Sequence, residues 1–470
     1  MLKENHIVMG LEMKDDTIVA LSTMAGEAAV NIIKISGDNS IKIVDKIFAA
    51  KSKIKLCDLK TYSLSYGNIF FNNEIIDEVL VSIMRAPGSY TREDVIEINC
   101  HGGLVPVSRI LDLILANGAR LAHPGEFTKR AFLNGRIDLS QVEAISDIIR
   151  AKTENSLKIA ANNLSGALSS EIKTIRKELL DLIINIEASI DFIEEDLETL
   201  PYDDILTVTK NISIRLIEMI NNEVKGEIIK NGIKIAIVGK PNVGKSSLLN
   251  LIAKKEKAIV TAIPGTTRDA IEEIIYLNGI PVILTDTAGI RESKNVIEKI
   301  GVSRSIGEIE KADILIIVID NSKNLTDDDI GILKKIKGKK HIVCLNKIDV
   351  KPKINKSDLE KYVSKEAIIE ISVLKNKGIE RLEEKIRDLT IGREKFDLEE
   401  KIIINKRQKV LISDAREAVA SAITAMEKRM SVEFLSLDLK RALDLLGEVT
   451  GENISEEILN GIFNKFCVGK

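Results

Sequence analysis

Tryptophan is absent from this chain of 470 residues, and aromatic residues make up only 3% of it. The cores must therefore be built from Ile, Leu, Val and Ala. Cysteine is scarce too, with Cys57, Cys100, Cys344 and Cys467 the only four. None stands in C-x-x-C spacing, which argues against a zinc ribbon or a disulfide scaffold and points to a reducing, cytoplasmic setting. Basic charge is not in excess, since 68 Lys and Arg face 71 Asp and Glu for a net charge of −3. Without a global positive field, a polyanion must be met by a local patch or through a partner. No apolar run nears the ~20 residues that a spanning helix needs. The first residues include Glu4, Glu12, Asp15 and Asp16, unlike a secretory or mitochondrial leader. The expectation is a soluble, untargeted chain with no membrane contact.

What the chain does contain is centred on KIAIVGKPNVGKSSLLN, residues 234–250. Its apolar run reads as a buried strand, and Gly239, Gly244, Lys245 and Ser246 then fit G-x-x-x-x-G-K-[ST]. In such a loop the backbone N–H groups, here from Asn242, Val243 and Gly244 through Ser247, wrap phosphate oxygens. Lys245 reaches the terminal phosphates and Ser246 ligates Mg²⁺. The SLLNLIA run opens a helix whose positive end faces the anion. Glycines between a strand and a helix are often only a tight connection, but here every required residue stands in the required context.

Three later stretches identify the nucleotide. VILTDTAG ends a strand at Asp286, an acid toward Mg²⁺, and continues through Thr287 and Ala288 to Gly289, whose N–H faces the γ-phosphate. HIVCLNKID supplies Asn346, Lys347 and Asp349, and a carboxylate there accepts two N–H bonds from guanine, a pairing adenine does not offer. Between the loop and DTAG stands GTTRD, beginning at Gly265, where Thr267 can close over Mg²⁺. Motifs in this order predict a GTPase.

The length suits about three domains. Residues 1–120 mix β-rich runs (DTIVALST, VNIIKISG, SLSYGNI, EVLVSIM, DVIEINC) with amphipathic IKIVDKIF and VSRILDLILANG, an α+β pattern. The segment before Asp15 reads as an extension, with Met9 or Met13 as alternative starts. Cys100 and His101 adjoin in NCHGG, but neighbours on a strand point to opposite faces and cannot easily share one ion. Residues 121–230 are helical. Leu157, Leu164, Leu168, Ile172, Ile175, Leu179, Ile183, Ile186 and Ile190 predict one long bundle helix, followed by the acid run FIEEDLETLPYDD, read as a solvated helix end. Residues 231–391 alternate strands and helices as a doubly wound sheet requires. Charged residues 392–401 form a linker, and helical periodicity resumes to residue 470. The fold class is thus multidomain α/β, with a Ras-like P-loop G domain inserted into a discontinuous helical domain.

The GTPase motifs, the N-terminal HGG and PGEFTKRAFLNGRIDL, and the terminal FCVGK make the chain resemble the family of tRNA modification GTPases called MnmE or TrmE, over essentially its whole length. The resemblance implies an N-terminal domain like those of folate-dependent one-carbon enzymes, which also pairs two copies into a homodimer. It implies work with a flavoprotein partner, MnmG, in a heterotetramer or larger complex. Together they would install an aminomethyl or carboxymethylaminomethyl group at C5 of the wobble uridine of certain tRNAs. A tetrahydrofolate derivative would donate the one-carbon unit, with FAD and NADH on the partner.

Ile290 follows Gly289 where Ras-like proteins place the water-orienting Gln, and no arginine finger is evident. The resemblance implies that K⁺ supplies the missing charge, held by Asn242 and by oxygens of Thr261, Ile263 and Thr266. Ala262, Pro264 and Gly265 complete that nucleotide-lining switch. The family's water-orienting acid falls on Glu298, which by sequence alone would be an ordinary exposed helix glutamate. Folate contacts fall on Lys34, Glu97, Arg136 and Lys470. Lys34 departs from the family's usual Arg and cannot reproduce a bidentate fork, and Ala29 and Asn31 stand where glycines are common. Cys467 is the cysteine the family needs for modification, as nucleophile or as acid/base. For it to act with Lys470, the tail must fold back toward the folate pocket. A rival reading, a non-catalytic ribosome-assembly GTPase switch, leaves PGEF and the tail without a purpose.

Overall fold

The computed structural model describes residues 16–191, 201–255, 273–277, 280–286, 312–336, 338–392, 402–430 and 432–470. The expected N-terminal extension, the acid run up to Leu200 and the charged linker beyond Gly392 lie outside these residues. The chain divides into two compact units, Met1–Ser146 with Asn163–Leu216 and Val410–Lys470, and Asp147–Asn162 with Ile217–Lys409.

The first unit begins with β1 (Ile18–Leu21), β2 (Ala28–Ser36), α1 (Ser40–Asp45), β3 (Phe48–Ala50), β4 (Ser63–Phe71), β5 (Glu74–Met84), β6 (Val95–Gly102), α2 (Leu104–Ala116) and β7 (Arg120–Leu121). The strands form one sheet in the order β3-β4-β5-β6-β2-β1-β7. Its pairings are antiparallel except that β1 and β7 run parallel. Period-two patterning explains it: Val79, Val81 and Ile83 on β5 are buried while Leu80 is exposed, as in a sheet covered on one face. The cover is α1 and α2, whose Ile43, Val44, Ile110 and Ile114 join Ile33, Ile35, Ile96 and Ile98 in one core. IKIVDKIF is not one amphipathic element, because the helix stops at Asp45 and Phe48 already pairs with Ile69 on β4.

Then come α3 (Glu126–Leu133), α4 (Leu139–Arg150), α5 (Glu154–Leu164), α6 (Ala167–Asp191) and α7 (Tyr202–Asn231). The predicted single helix through Leu157 and Ile186 is two helices. Gly166 takes φ +97°, which ends α5, and Leu157 is exposed. The stripe is real from Leu168 through Ile186 on α6, all of it buried.

The second unit holds β8 (Ile233–Val238), α8 (Lys245–Lys255), β9 (Glu273–Leu277), β10 (Ile280–Asp286), β11 (Ile314–Asp320), α9 (Asp327–Lys335), β12 (Lys340–Asn346), β13 (Ile368–Glu370) and α10 (Ile379–Ile391). Strand order is β13-β12-β11-β8-β10-β9, parallel except for β9. β11, ILIIVID, is buried at every position, the continuous apolar run expected of a parallel strand covered on both faces. The chain returns beside the helix through which it entered. Lys409 pairs with Glu223 at 2.7 Å and Lys406 with Glu227 at 2.9 Å, and a Cβ on Gly226 would lie 1.9 Å from Ile403 Cγ2.

The last helices are α11 (Lys406–Glu427), α12 (Val432–Thr450) and α13 (Glu456–Phe463). α12 and the turn that follows it join α6 through Lys440–Glu187 and Arg176–Glu452 ion pairs, around buried Leu439, Ala442 and Leu446.

Candidate functional site

The phosphate loop occupies the turn between β8 and α8, where parallel strands end and a helix begins. Gly239 is at φ +156°, Asn242 at +61° and Gly244 at +104°, backbone that L side chains rarely adopt and that lets the loop turn tightly. Close approach explains Gly244, since a Cβ there would stand 2.3 Å from Asn346 Nδ2. Leu248 N–H donates to Gly244 O, which starts the helix at Lys245. The preceding N–H groups have no intrahelical acceptor. Ser246 and Ser247 stand exposed in that first turn, while Lys245 is buried and its Nζ donates to Gly239 O at 2.8 Å and Lys240 O at 2.7 Å. Its ammonium is thus held over the loop in which a phosphate would sit.

Base recognition is built from the end of β12. Asn346, 3% exposed, donates from Nδ2 to Val243 O at 2.8 Å and accepts from Val373 N–H at 3.2 Å. One side chain therefore ties phosphate loop to base loop. Lys347, at φ +70°, donates to Asn242 O at 3.1 Å and to Asp320 Oδ2 at 2.6 Å. Burial pushes the Asp320 carboxyl up, but Lys347 and Ser322 hold it below the usual carboxylate range. Asp349 accepts from the Ser372 hydroxyl, which together with Lys375 and Lys347 keeps it ionised against some desolvation. Asp286 ends β10 opposite Ile237 of β8. Thr261, Ala262, Ile263, Pro264, Gly265, Thr266, Thr267, Thr287, Ala288, Gly289 and Glu298 lie outside the described residues. Sequence reasoning missed Asp320, Ser372 and Val373. The available signal was a small polar residue two places after the end of the strand that follows N-K-x-D.

A second constellation lies in the first unit. Lys34 on β2 faces Glu97 on β6 across the ladder, and their side chains pair at 3.3 Å. Lys34 Nζ is 5.2 Å from the centroid of the Tyr90 ring, and the Arg136 guanidinium is 4.4 Å from that centroid. Two cations far apart in sequence therefore converge on one aromatic ring, and Glu97 joins them through Lys34. Arg136 Nε is buried with no hydrogen-bond partner among the described residues, which suits a site for a polar acceptor that the protein does not itself provide.

The chain end returns to the same sheet. Phe463 and Phe466 pack with Phe132, Leu139 and partly buried Tyr90. Gly125 N–H donates to Cys467 O at 3.3 Å, and Ser22 Oγ donates to Gly469 O at 3.4 Å. Gly469, at φ +93°, lies so close to β1 that a Cβ would be 2.7 Å from Leu21 O. β1 pairs with β2, placing Ala20 opposite Lys34. Cys467 and Lys470 are exposed. Cys100 and His101 diverge as strand neighbours should. Burial pushes the Cys100 thiol up to about 11, while the exposed His101 is bonded to Asp77.

Under these elements lies an ion network absent from the sequence reading. Arg130, 8% exposed at its side chain, meets Asp16 at 2.6 Å, Glu93 at 3.2 Å and Glu126 at 3.2 Å, and Arg120 joins Asp16 and Glu126. PGEFTKR is thus a scaffold motif in which Glu126 and Arg130 share a helix face at i,i+4.

Comparison with known proteins finds two family matches. Residues 17–136 match the family model for the GTP-binding protein TrmE N-terminus, and residues 139–467 match that for the MnmE helical domain. A tRNA modification GTPase MnmE from Thermoanaerobacter pseudethanolicus is 47% identical over 97% of this chain and 99% of its own. That from Alkaliphilus metalliredigens is 44% identical with the same coverage. Among solved structures, Aquifex aeolicus Era is 30% identical over 40% of this chain and 66% of its own, with a TM-score of 0.27 that carries no weight here. Matched from its N-terminal sheet to its tail, the chain belongs to the MnmE family of tRNA modification GTPases, GTP hydrolases that act in tRNA modification.

Proposed function

We propose that the chain works as a K⁺-activated GTPase in a cytoplasmic homodimer which, with the flavoprotein MnmG, modifies C5 of the wobble uridine of certain tRNAs using a reduced-folate one-carbon donor. The observation that carries the folate part is the buried, unpartnered Nε of Arg136 within the Lys34–Glu97–Tyr90 cluster, on the sheet to which the chain end is fastened. Glu97 would accept from N–H donors of the pterin, and the basic groups, Lys470 with them, would receive carboxylates. The carrier would supply the one-carbon unit. The proposed domain division, 1–120, 121–230, 231–391 and 392–470, is supported by the clasp of Lys406 and Lys409 on α7.

The G-domain part rests on Asn242, whose left-handed backbone leaves an exposed side chain beside the loop. With Thr261, Ile263 and Thr266 it would hold K⁺, positive charge near the transferring phosphate in place of an arginine. Mg²⁺ would be held by Ser246 and Thr267. Glu298 would orient the attacking water, taking the role that glutamine has in Ras-like proteins. Arginine fingers give on the order of 10³ to 10⁵ in rate, so GTP hydrolysis should be at least about tenfold faster in KCl than in NaCl at equal ionic strength. Equal, slow rates in both salts would remove the K⁺ mechanism.

A further inference from the structure

We propose that Tyr90 is the positioning residue of the one-carbon site: its ring holds the Arg136 guanidinium and the Lys34 ammonium so that Arg136 Nε is presented to an acceptor on the reduced folate. This rests on the folate reading above and adds to it a residue that touches the ligand-binding cations.

Two cations converging on one ring would repel each other in an apolar setting. The negative face of an aromatic ring offsets that repulsion and restrains a side chain with many rotamers. Arg136 sits closer to the ring than Lys34, at 4.4 Å against 5.2 Å, and Lys34 has Glu97 at 3.3 Å and the Phe127 ring at 5.7 Å as further restraints. The ring therefore matters most to Arg136.

Tyr90 is itself fixed. Its hydroxyl is bonded to Thr128 Oγ1 at 2.9 Å, and Thr128 is fully buried on α3. The next residue, Thr91, is fully buried and bonded to Ser36 on β2 at 2.7 Å, while its carbonyl accepts from Asn134 Nδ2 at 2.6 Å. Glu93 fastens the far side of the loop through Ser36 Oγ and Arg130. A ring bonded to a helix, on a loop whose next residue is bonded to a strand, is a platform set before any ligand arrives, which lowers the ordering cost of binding.

The experiment is calorimetric titration of the full chain with 5-formyltetrahydrofolate. Tyr90→Leu, which keeps an apolar side chain but has neither π face nor hydroxyl, should weaken binding about tenfold. Tyr90→Phe, which keeps the face and loses only the Thr128 bond, should stay within about threefold of the parent. In an Arg136→Gln background Tyr90→Leu should cost less than about twofold, because the ring then has only Lys34 left to position, which Glu97 and Phe127 also restrain. Should Tyr90→Leu fail to fold, as read by circular dichroism, Tyr90→Met replaces it. Parent protein that gives no heat would defeat the folate reading itself. Parent binding with Tyr90→Leu equally tight, or a loss undiminished in the Arg136→Gln background, would defeat the role of Tyr90 alone.

Discussion

Gly244 is a single position on which two halves of the nucleotide site depend. Its φ of +104° excludes most side chains, and the space where a Cβ would go is taken by Asn346 Nδ2, the group that bonds Val243 O. Gly244→Ala must strain the loop or push Asn346 away from it, and such strain costs on the order of 1–3 kcal/mol. Binding of a fluorescent GDP analogue should weaken by about 30-fold, in the range of that energy, with α8 still helical by circular dichroism. Unchanged affinity would mean that the Asn346–Val243 bond does not set the loop. The thiols show the same dependence on position. Cys100 and Cys344 are buried and pushed up, to about 11 and about 12, whereas Cys57 and Cys467 are exposed.

α3 is the element on which the first unit turns. Three carboxylates and two guanidiniums gather on it or beside it, so its stability should follow their titration. Burial raises the Glu126 carboxyl, but Arg120, the His123 N–H and Arg130 bring it below its ordinary value, and Asp16 is lowered by the same two arginines against burial. Carboxylates depressed in the folded state stabilise above their unfolded pKa of about 4 and lose that contribution as pH falls through the folded value. The first unit should therefore melt earlier in scanning calorimetry as pH drops below about 4. Glu126→Gln, which leaves Arg120 and Arg130 one carboxylate short while Asp16 and Glu93 still pair with them, should cost about 3 kcal/mol at pH 7 and flatten that pH dependence. An unaltered acid slope in this variant would place the titration elsewhere. The network also marks the limit of sequence reading. Periodicity revealed strands such as β6 and β11 and the stripe of α6, because burial of one face writes itself into composition. It did not reveal the break at Gly166, where a backbone angle rather than a hydrophobic pattern decides. It also missed Tyr90, Ser372 and the Arg130 cluster, whose meaning lies in partners distant along the chain. Lys34, Glu97 and Arg136 were reached through family resemblance, and spacing alone would not have joined them.

In the whole molecule the nucleotide motifs and the chain end belong to different compact units, which separates the two chemistries experimentally. Asn346, Lys347 and the phosphate loop hold one another through bonds confined to the second unit. Cys467 is exposed, and within the first unit its bond to Gly125 ahead of α3 is made by its carbonyl, which accepts from the Gly125 N–H, rather than by its thiol. Replacing the sulfur with oxygen therefore leaves the tail's fastening intact, because Gly125, Ser22 and the Phe463–Phe466 pair do not touch that atom as partners. Cys467→Ser should hydrolyse GTP in KCl at the parent rate, while mass spectrometry of nucleosides from cells that carry it as their sole copy should show the wobble-uridine modification lost. Neither buried cysteine can replace it as a thiolate, since both are held well above neutral pH. Loss of hydrolysis together with modification would make the tail a folding element, and full modification would show that the reaction does not need this thiol.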